Sequence, residues 1–252
     1  MGFISLICLL TKRHCLYEGF FNLVKSLNIL ALDSAASACS VAITINSNVY
    51  AARFEVMERG QAEALAPMVA SVMEEASQTM PRGFADLDAV AVTVGPGTFT
   101  GIRLGLAMAK AIALPHKIPV MGLSTFDAIR FGIDQKNGPL IAVIETKRND
   151  FYLQMFDRRG AEMTKAAVLN AAEVLSMLPP GPIVGVGDGA GRLGKFLAAK
   201  GYGGFYVADE SPPIAENFVG LALERFQFKE IGAPKPIYLK APSVTLQPDH
   251  LK

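Results

Sequence analysis

Apolar residues occupy positions 29–32 without a break before the chain reaches Asp33, and from Cys39 to Ile45 they alternate with smaller or polar ones. Runs of this length and period predict two strands, joined by a turn rich in serine and alanine. Asn46, Ser47 and Asn48 supply turn chemistry, so residues 49–55 are expected to return antiparallel. The period then changes to a helical one. Ala62, Leu65, Ala66, Val69, Val72, Met73 and Ala76 predict an amphipathic helix over 61–78, and Pro67 inside it predicts a kink or a late start. Residues 89–94 are apolar on both faces, as in a parallel strand covered on both sides. A helix over 100–114, a short buried strand over 118–121 and a helix opened by Ser124 follow, with Asp127 three residues on in a capping-box variant.

Gly138-Pro139 marks a boundary. Beyond it, 140–146 and 151–156 read as a hairpin about 147–150, followed by a helix over 171–177, a strand over 183–186, and helices over 193–200 and 215–226. The order of the first half, three antiparallel strands and then alternating helices and strands, is the unit of an α/β actin-like or ribonuclease-H-like fold with two subdomains, although a doubly wound domain shares much of it. Residues 27–137 form the first expected domain, 138–233 a second and smaller one, and 234–252 an extended proline-rich tail. No long internal repeat is visible along the chain.

Composition narrows the function classes. Half of the 252 residues are hydrophobic, the formal net charge is +1, and acids and bases are interspersed, so a nucleic-acid-binding face of the chain's own is not expected. Cys8, Cys15 and Cys39 form no CxxC, and His14, His116 and His250 are scattered, so no metal-ligand spacing exists; reduced thiols and a cytoplasmic location fit this usage. Residues 3–10 are apolar and followed by Lys12, Arg13 and His14, the reverse of a secretory signal's charge order and too short a run to span a bilayer. Residues 1–26 therefore read as an appendage, with translation expected to begin at Leu27 from an alternative start codon.

The segment from Val94 to Gly105, VGPGTFTGIRLG, makes a tight turn from strand to helix. The helix start offers free N–H groups to an anion, or simply a Thr98 or Thr100 N-cap. Gly101, Gly105 and Ala109 recur every fourth residue and form a groove of small side chains, flanked by Ile102, Leu106 and Met108. A mid-helix glycine costs about 1 kcal/mol relative to alanine, so two on one face predict close approach by another element. That element is either a neighbouring helix of this chain or a partner's helix, and in the second case Leu65, Val69 and Val72 of the preceding helix join the interface. Further on, Gly185 to Gly191, with Asp209 or Glu210, allows a dinucleotide-binding reading, but lining an inter-domain cleft is preferred.

NILALDSAASACSVAI at 28–43, GPGTFTGIRLG and VMGLST at 120–125 resemble the TsaB (YeaZ) family in sequence and order, and PIYLK at 236–240 resembles its C-terminal motif with lysine where arginine is commoner. The resemblance implies an actin-like ATPase fold, pairing with the catalytic paralogue TsaD, and joint action with the ATPase TsaE in transferring threonylcarbamoyl to adenosine beside the tRNA anticodon. The expectation is then no catalytic residue, metal or cofactor of the chain's own, ATP at or near the partner interface, tRNA contact only through the complex, and either a homodimer or a monomer when alone. The paralogue's metal-binding His-x-x-x-His falls on Thr125 and Ile129 here, and an isoleucine offers no ligand atom. Asp33, Ser34 and Ser37 occupy the place where actin-like kinases hold a nucleotide's phosphates, but such a turn is also an ordinary Asx connection. The rival reading is an actin-like ATPase or small-molecule kinase active on its own; a peptidase lacks support, since there is no HExxH, no G-x-S-x-G and no Cys/His pair.

Overall fold

A computed structural model describes residues 26–133, 138–232 and 234–240. The expected N-terminal appendage, apart from Ser26, and the tail beyond residue 240 lie outside the described residues. The first sheet is built from β1 (Ile29–Asp33), β2 (Ala38–Ile45), β3 (Asn48–Val56), β4 (Ala89–Thr93) and β5 (Val120–Leu123), in the order β3-β2-β1-β4-β5. β2 runs antiparallel to β1 and β3, while β1, β4 and β5 are parallel. The crossovers carry α1 (Gln61–Glu75) and α2 (Phe99–Ala113), and α3 (Thr125–Arg130) follows β5.

The second sheet comprises β6 (Leu140–Glu145), β7 (Asp150–Phe156), β8 (Ala167–Asn170), β9 (Ile183–Val186) and β10 (Phe205–Asp209), ordered β10-β9-β6-β7-β8. Numbered within its own half, this is the arrangement of the first sheet: two strands added by successive antiparallel pairings on one side of the first strand and two parallel ones on the other. The fold is the two-lobed actin-like, ribonuclease-H-like α/β architecture, a repeat of topology that leaves no repeat of sequence. α4 (Ala171–Met177) and α5 (Ala190–Ala199) cover one face of the second sheet. The last helix, α6 (Ala215–Gln227), follows the second sheet in sequence but packs on the first, where Phe218, Val219 and Ala222 meet Ile29, Ala31 and Ala91.

α3 sits between the lobes. Ala128 joins the core under α6, while Phe126 and Ile129 join Leu140, Ile144 and Val184 on the second sheet. Its start differs in detail from the sequence pattern. The Ser124 hydroxyl accepts from the Phe126 N–H, but the Asp127 carboxylate does not close a capping box, because Arg130 and Arg225 take its two oxygens. α1 begins at Gln61, so Pro67 lies inside the helix and does not delay its start. β5 runs two residues later than expected and α5 begins at Ala190. β8 and β10, both at sheet edges, are additional strands: half-burial leaves them no continuous apolar run to read.

Candidate functional site

β1 and β6 are the central strands of two like-ordered sheets, so their last residues, Asp33 and Glu145, hold corresponding places at the junction of the lobes. The two acids have different surroundings. Glu145 accepts from Arg192 Nε at 2.8 Å and also from its Nη2, a forked pair that neutralises it within its own lobe. Asp33 is completely buried and has no cation among its bonding partners. Its Oδ1 accepts from the Thr93 hydroxyl and, at 3.3 Å, from the Ala35 N–H, whereas its Oδ2 is buried without a partner among the described residues. Burial is the main reason its carboxyl is pushed up to about 7; the bonds from Thr93 and Ala35 oppose this, and the charge of Asp188 adds to it.

Asp188 reaches this junction from the turn after β9. Its Oδ2 accepts from the Ser37 hydroxyl at 2.6 Å, linking the lobes, and its Oδ1 accepts from the Glu145 N–H at 2.8 Å. Burial raises its carboxyl above the ordinary aspartate range, against the lowering effect of those two bonds. The glycine run at 185–191 therefore lines the cleft between the lobes, although β9, α5 and β10 do form a parallel strand-helix-strand unit. Of the residues expected to contact phosphate, Asp33 stands at the junction, Ser37 is spent on Asp188, and Ser34 donates to the Gly101 carbonyl at 2.9 Å.

The small-residue face of α2 is turned inward. A Cβ on Gly101 would collide with the Ser34 carbonyl oxygen, and one on Gly105 would stand 3.0 Å from Ser34 Oγ and 3.2 Å from Val92 Cγ2. What approaches the two glycines is thus neither a neighbouring helix nor a partner's helix but the turn after β1 and the strand β4. Leu65, Val69, Val72, Gly101, Ile102, Gly105, Leu106 and Ala109 are all buried in this chain's own core, and of the residues expected at a partner interface only Met108 is half-exposed. These residues therefore do not form the expected partner surface, because helical periodicity identifies a buried face without identifying what buries it. Thr98 caps α2, accepting from the Gly101 N–H at 3.2 Å.

The tail closes the other side of the cleft. Ile237 donates its N–H to the Val94 carbonyl at 2.7 Å, Tyr238 packs on Phe99 with ring centroids 5.1 Å apart, and Arg103 Nε donates to the Tyr238 hydroxyl at 2.9 Å. Lys240 pairs with Asp150 of the second lobe at 2.6 Å. Between them lies a cleft of about 170 Å³ lined by Thr98, Phe99, Thr146, Arg148, Tyr152 and Lys240. Sequence reasoning missed Thr93, Glu145, Arg103 and Tyr238 as parts of these clusters. The position of Glu145 at the end of a central strand, matching Asp33, was the one signal that could have found it.

At the places marked by the paralogue's histidines, Thr125 opens α3 with its hydroxyl buried and without a hydrogen-bond partner among the described residues, and Ile129 points into the second lobe. A Cβ on Gly187 would stand 2.7 Å from Ile129 Cδ1, so the two residues are in direct contact.

A family model described as TsaD, tRNA N6-adenosine threonylcarbamoyltransferase, matches residues 45–204. The tRNA threonylcarbamoyladenosine biosynthesis protein TsaB of Escherichia coli is 33% identical over 134 residues, 52% of this chain and 56% of its own, so the chain spans little more than half of that relative in the match. An uncharacterized protein of Mycobacterium tuberculosis is 36% identical over 160 residues, 63% of this chain and 70% of its own. YeaZ from Pseudomonas aeruginosa has a solved structure with a TM-score of 0.68 and 25% identity, covering 84% of this chain and 100% of that one. Taken with the paired sheets and the Asp33 junction, these matches place the chain in the family that the TsaD model describes and, within it, in the TsaB (YeaZ) group.

Proposed function

We propose that this chain is a non-catalytic scaffold and activator subunit that works with a TsaD-like catalytic paralogue and a TsaE-like ATPase to transfer threonylcarbamoyl to the adenosine next to the tRNA anticodon. The observation that carries the reading is Ile129. Where the catalytic paralogue is expected to hold a metal-binding imidazole, this chain has a buried hydrocarbon packed on Gly187. A side chain used to fasten the lobes together cannot also donate to a metal. The names of the TsaB relatives support the process, and the junction at Asp33, with Ser34 and Ser37 already engaged by the protein itself, supports a structural use of the old cleft.

Pairing through α1 and α2 stays part of the proposal, carried by their outward residues. Ala62, Ala66 and Ala70 on α1, and Arg103, Ala107 and Ala111 on α2, are exposed, and Leu114 just beyond α2 is 80% exposed. Alanines spaced four apart leave room for a partner's helices at the close end of the 8–10 Å packing range. The tRNA is reached through the complex, and ATP is bound at or near the subunit junction. Reconstitution tests this reading: the chain alone, with tRNA, threonine, bicarbonate and ATP, yields no threonylcarbamoyladenosine, and adding it to the other subunits restores product. Product from this chain alone would overturn it.

A further inference from the structure

Two carboxyls that the scaffold reading leaves without a task face each other across the lobe junction. Asp33 closes β1, and Asp188 follows β9; the turn joining Asp33 to Ser37 touches Asp188 through the Ser37 hydroxyl. We propose that this junction is a proton-operated latch, in which a hydrogen ion held on Asp33 keeps the 34–37 turn closed on the 187–189 turn and its loss loosens them.

The surroundings of Asp33 disfavour its ionised form. Its Oδ2 is buried with no donor among the described residues, so an ionised carboxylate there gives up water on that oxygen without a hydrogen bond from them in return. From β4 it receives the neutral Thr93 hydroxyl. β2 contributes Ser40 opposite and the Cys39 thiol, which burial first, and then the charges of Asp33 and Glu55, push up to about 12, so it stays neutral. The second lobe contributes Asp188, a like charge, itself faced by Glu145 and by Lys147. The bonds from Thr93 and Ala35 offset a negative Asp33 only in part, and no cation bonds to it. Opening the junction admits water to Oδ2 and separates the two acids, so the ionised form favours opening and the protonated form favours closure.

The sign follows from linkage. Asp33 titrates near 7 when closed and near the ordinary 3.8 when opening hydrates it, so the closed form binds the extra proton. Opening therefore grows as pH rises from about 4 and levels off above about 7; between pH 6 and pH 8 the change is about tenfold. Hydrogen exchange of the full chain, corrected for intrinsic rates, reads it directly. Protection of the amides at 35–37 and 187–189 should fall about tenfold from pH 6 to pH 8 in the natural chain, and Asp33→Asn, which cannot ionise, should remain protected and flat over that range. Ser37→Ala should lower protection throughout while keeping the slope. An unchanged slope in Asp33→Asn, or a flat natural chain, overturns the latch. Should Asp33→Asn fail to fold, the carboxyl carbon of Asp33 followed by NMR decides: a midpoint near 7 supports the latch, and one below 5 overturns it.

Discussion

Ile129 Cδ1 rests against the backbone of Gly187, and any Cβ on Gly187 would come within 2.7 Å of it as well as into the Val143 carbonyl oxygen. Gly187 has a φ of 98°, a left-handed conformation that side chains resist. Helix α3 is thereby seated on the second lobe by a contact with no polar component. Ile129→Ala is expected to cost about 2–4 kcal/mol in urea unfolding, as for other buried isoleucines. Ile129→His, even with Thr125→His beside it, is expected to destabilise the chain without conferring threonylcarbamoyl transfer, checked by the same unfolding curve and a tRNA modification assay.

Gly105→Arg places a charge against Ser34 and Val92 inside the first lobe. A buried charge without a counter-ion costs several kcal/mol, far more than the half to one kcal/mol of helix propensity gained. An insoluble or unfolded chain is expected by circular dichroism, and normal folding would show that the turn after β1 can move off α2.

Substitutions on the outward faces should separate folding from pairing. Ala70→Arg and Ala107→Arg leave the core untouched, so unfolding midpoints should stay within about 0.5 kcal/mol of the natural chain. Affinity for the proposed TsaD-like partner should fall about a hundredfold or more, about 3 kcal/mol, measured by calorimetry of the mixed subunits. Unchanged affinity for both variants would move the interface elsewhere.

The tail is a brace between the lobes. Tyr238→Ala removes the packing on Phe99 and the bond from Arg103 and should lower stability by about 1–2 kcal/mol. Lys240→Ala removes a partly exposed ion pair and should lose less, up to about 1 kcal/mol, with Lys240→Arg keeping it. The bond from Lys240, and then that from Thr146, holds the Asp150 carboxyl below its ordinary value. A lowered carboxylate contributes above its unfolded value and is lost as acid protonates it, so the difference between Lys240→Ala and the natural chain should be full at neutral pH and vanish in acid. Unfolding curves at a series of pH values check this.

Much of the architecture was already legible along the chain. Alternation in 39–45, the apolar run at 89–92 and the helical spacing of Leu65, Val69 and Val72 fixed elements of the right kind at nearly the right places, because each burial pattern has its own period. Asp33 stood out because it ends an apolar strand at the place where actin-like kinases hold phosphates, and Thr125 and Ile129 could be compared with a known motif by position; that Asp33 lies at the lobe junction was not legible. What periodicity records is that a face is covered. Only the tertiary structure decided that the turn after β1 covers Gly101 and Gly105, that α6 crosses back to the first sheet, and that Ser37 meets Asp188 151 positions away. The duplicated sheet order was expected only through the two-subdomain actin-like reading and could not be read from the periods themselves: strand order is set by which edges find hydrogen-bonding partners, and many unrelated apolar sequences satisfy one order equally well.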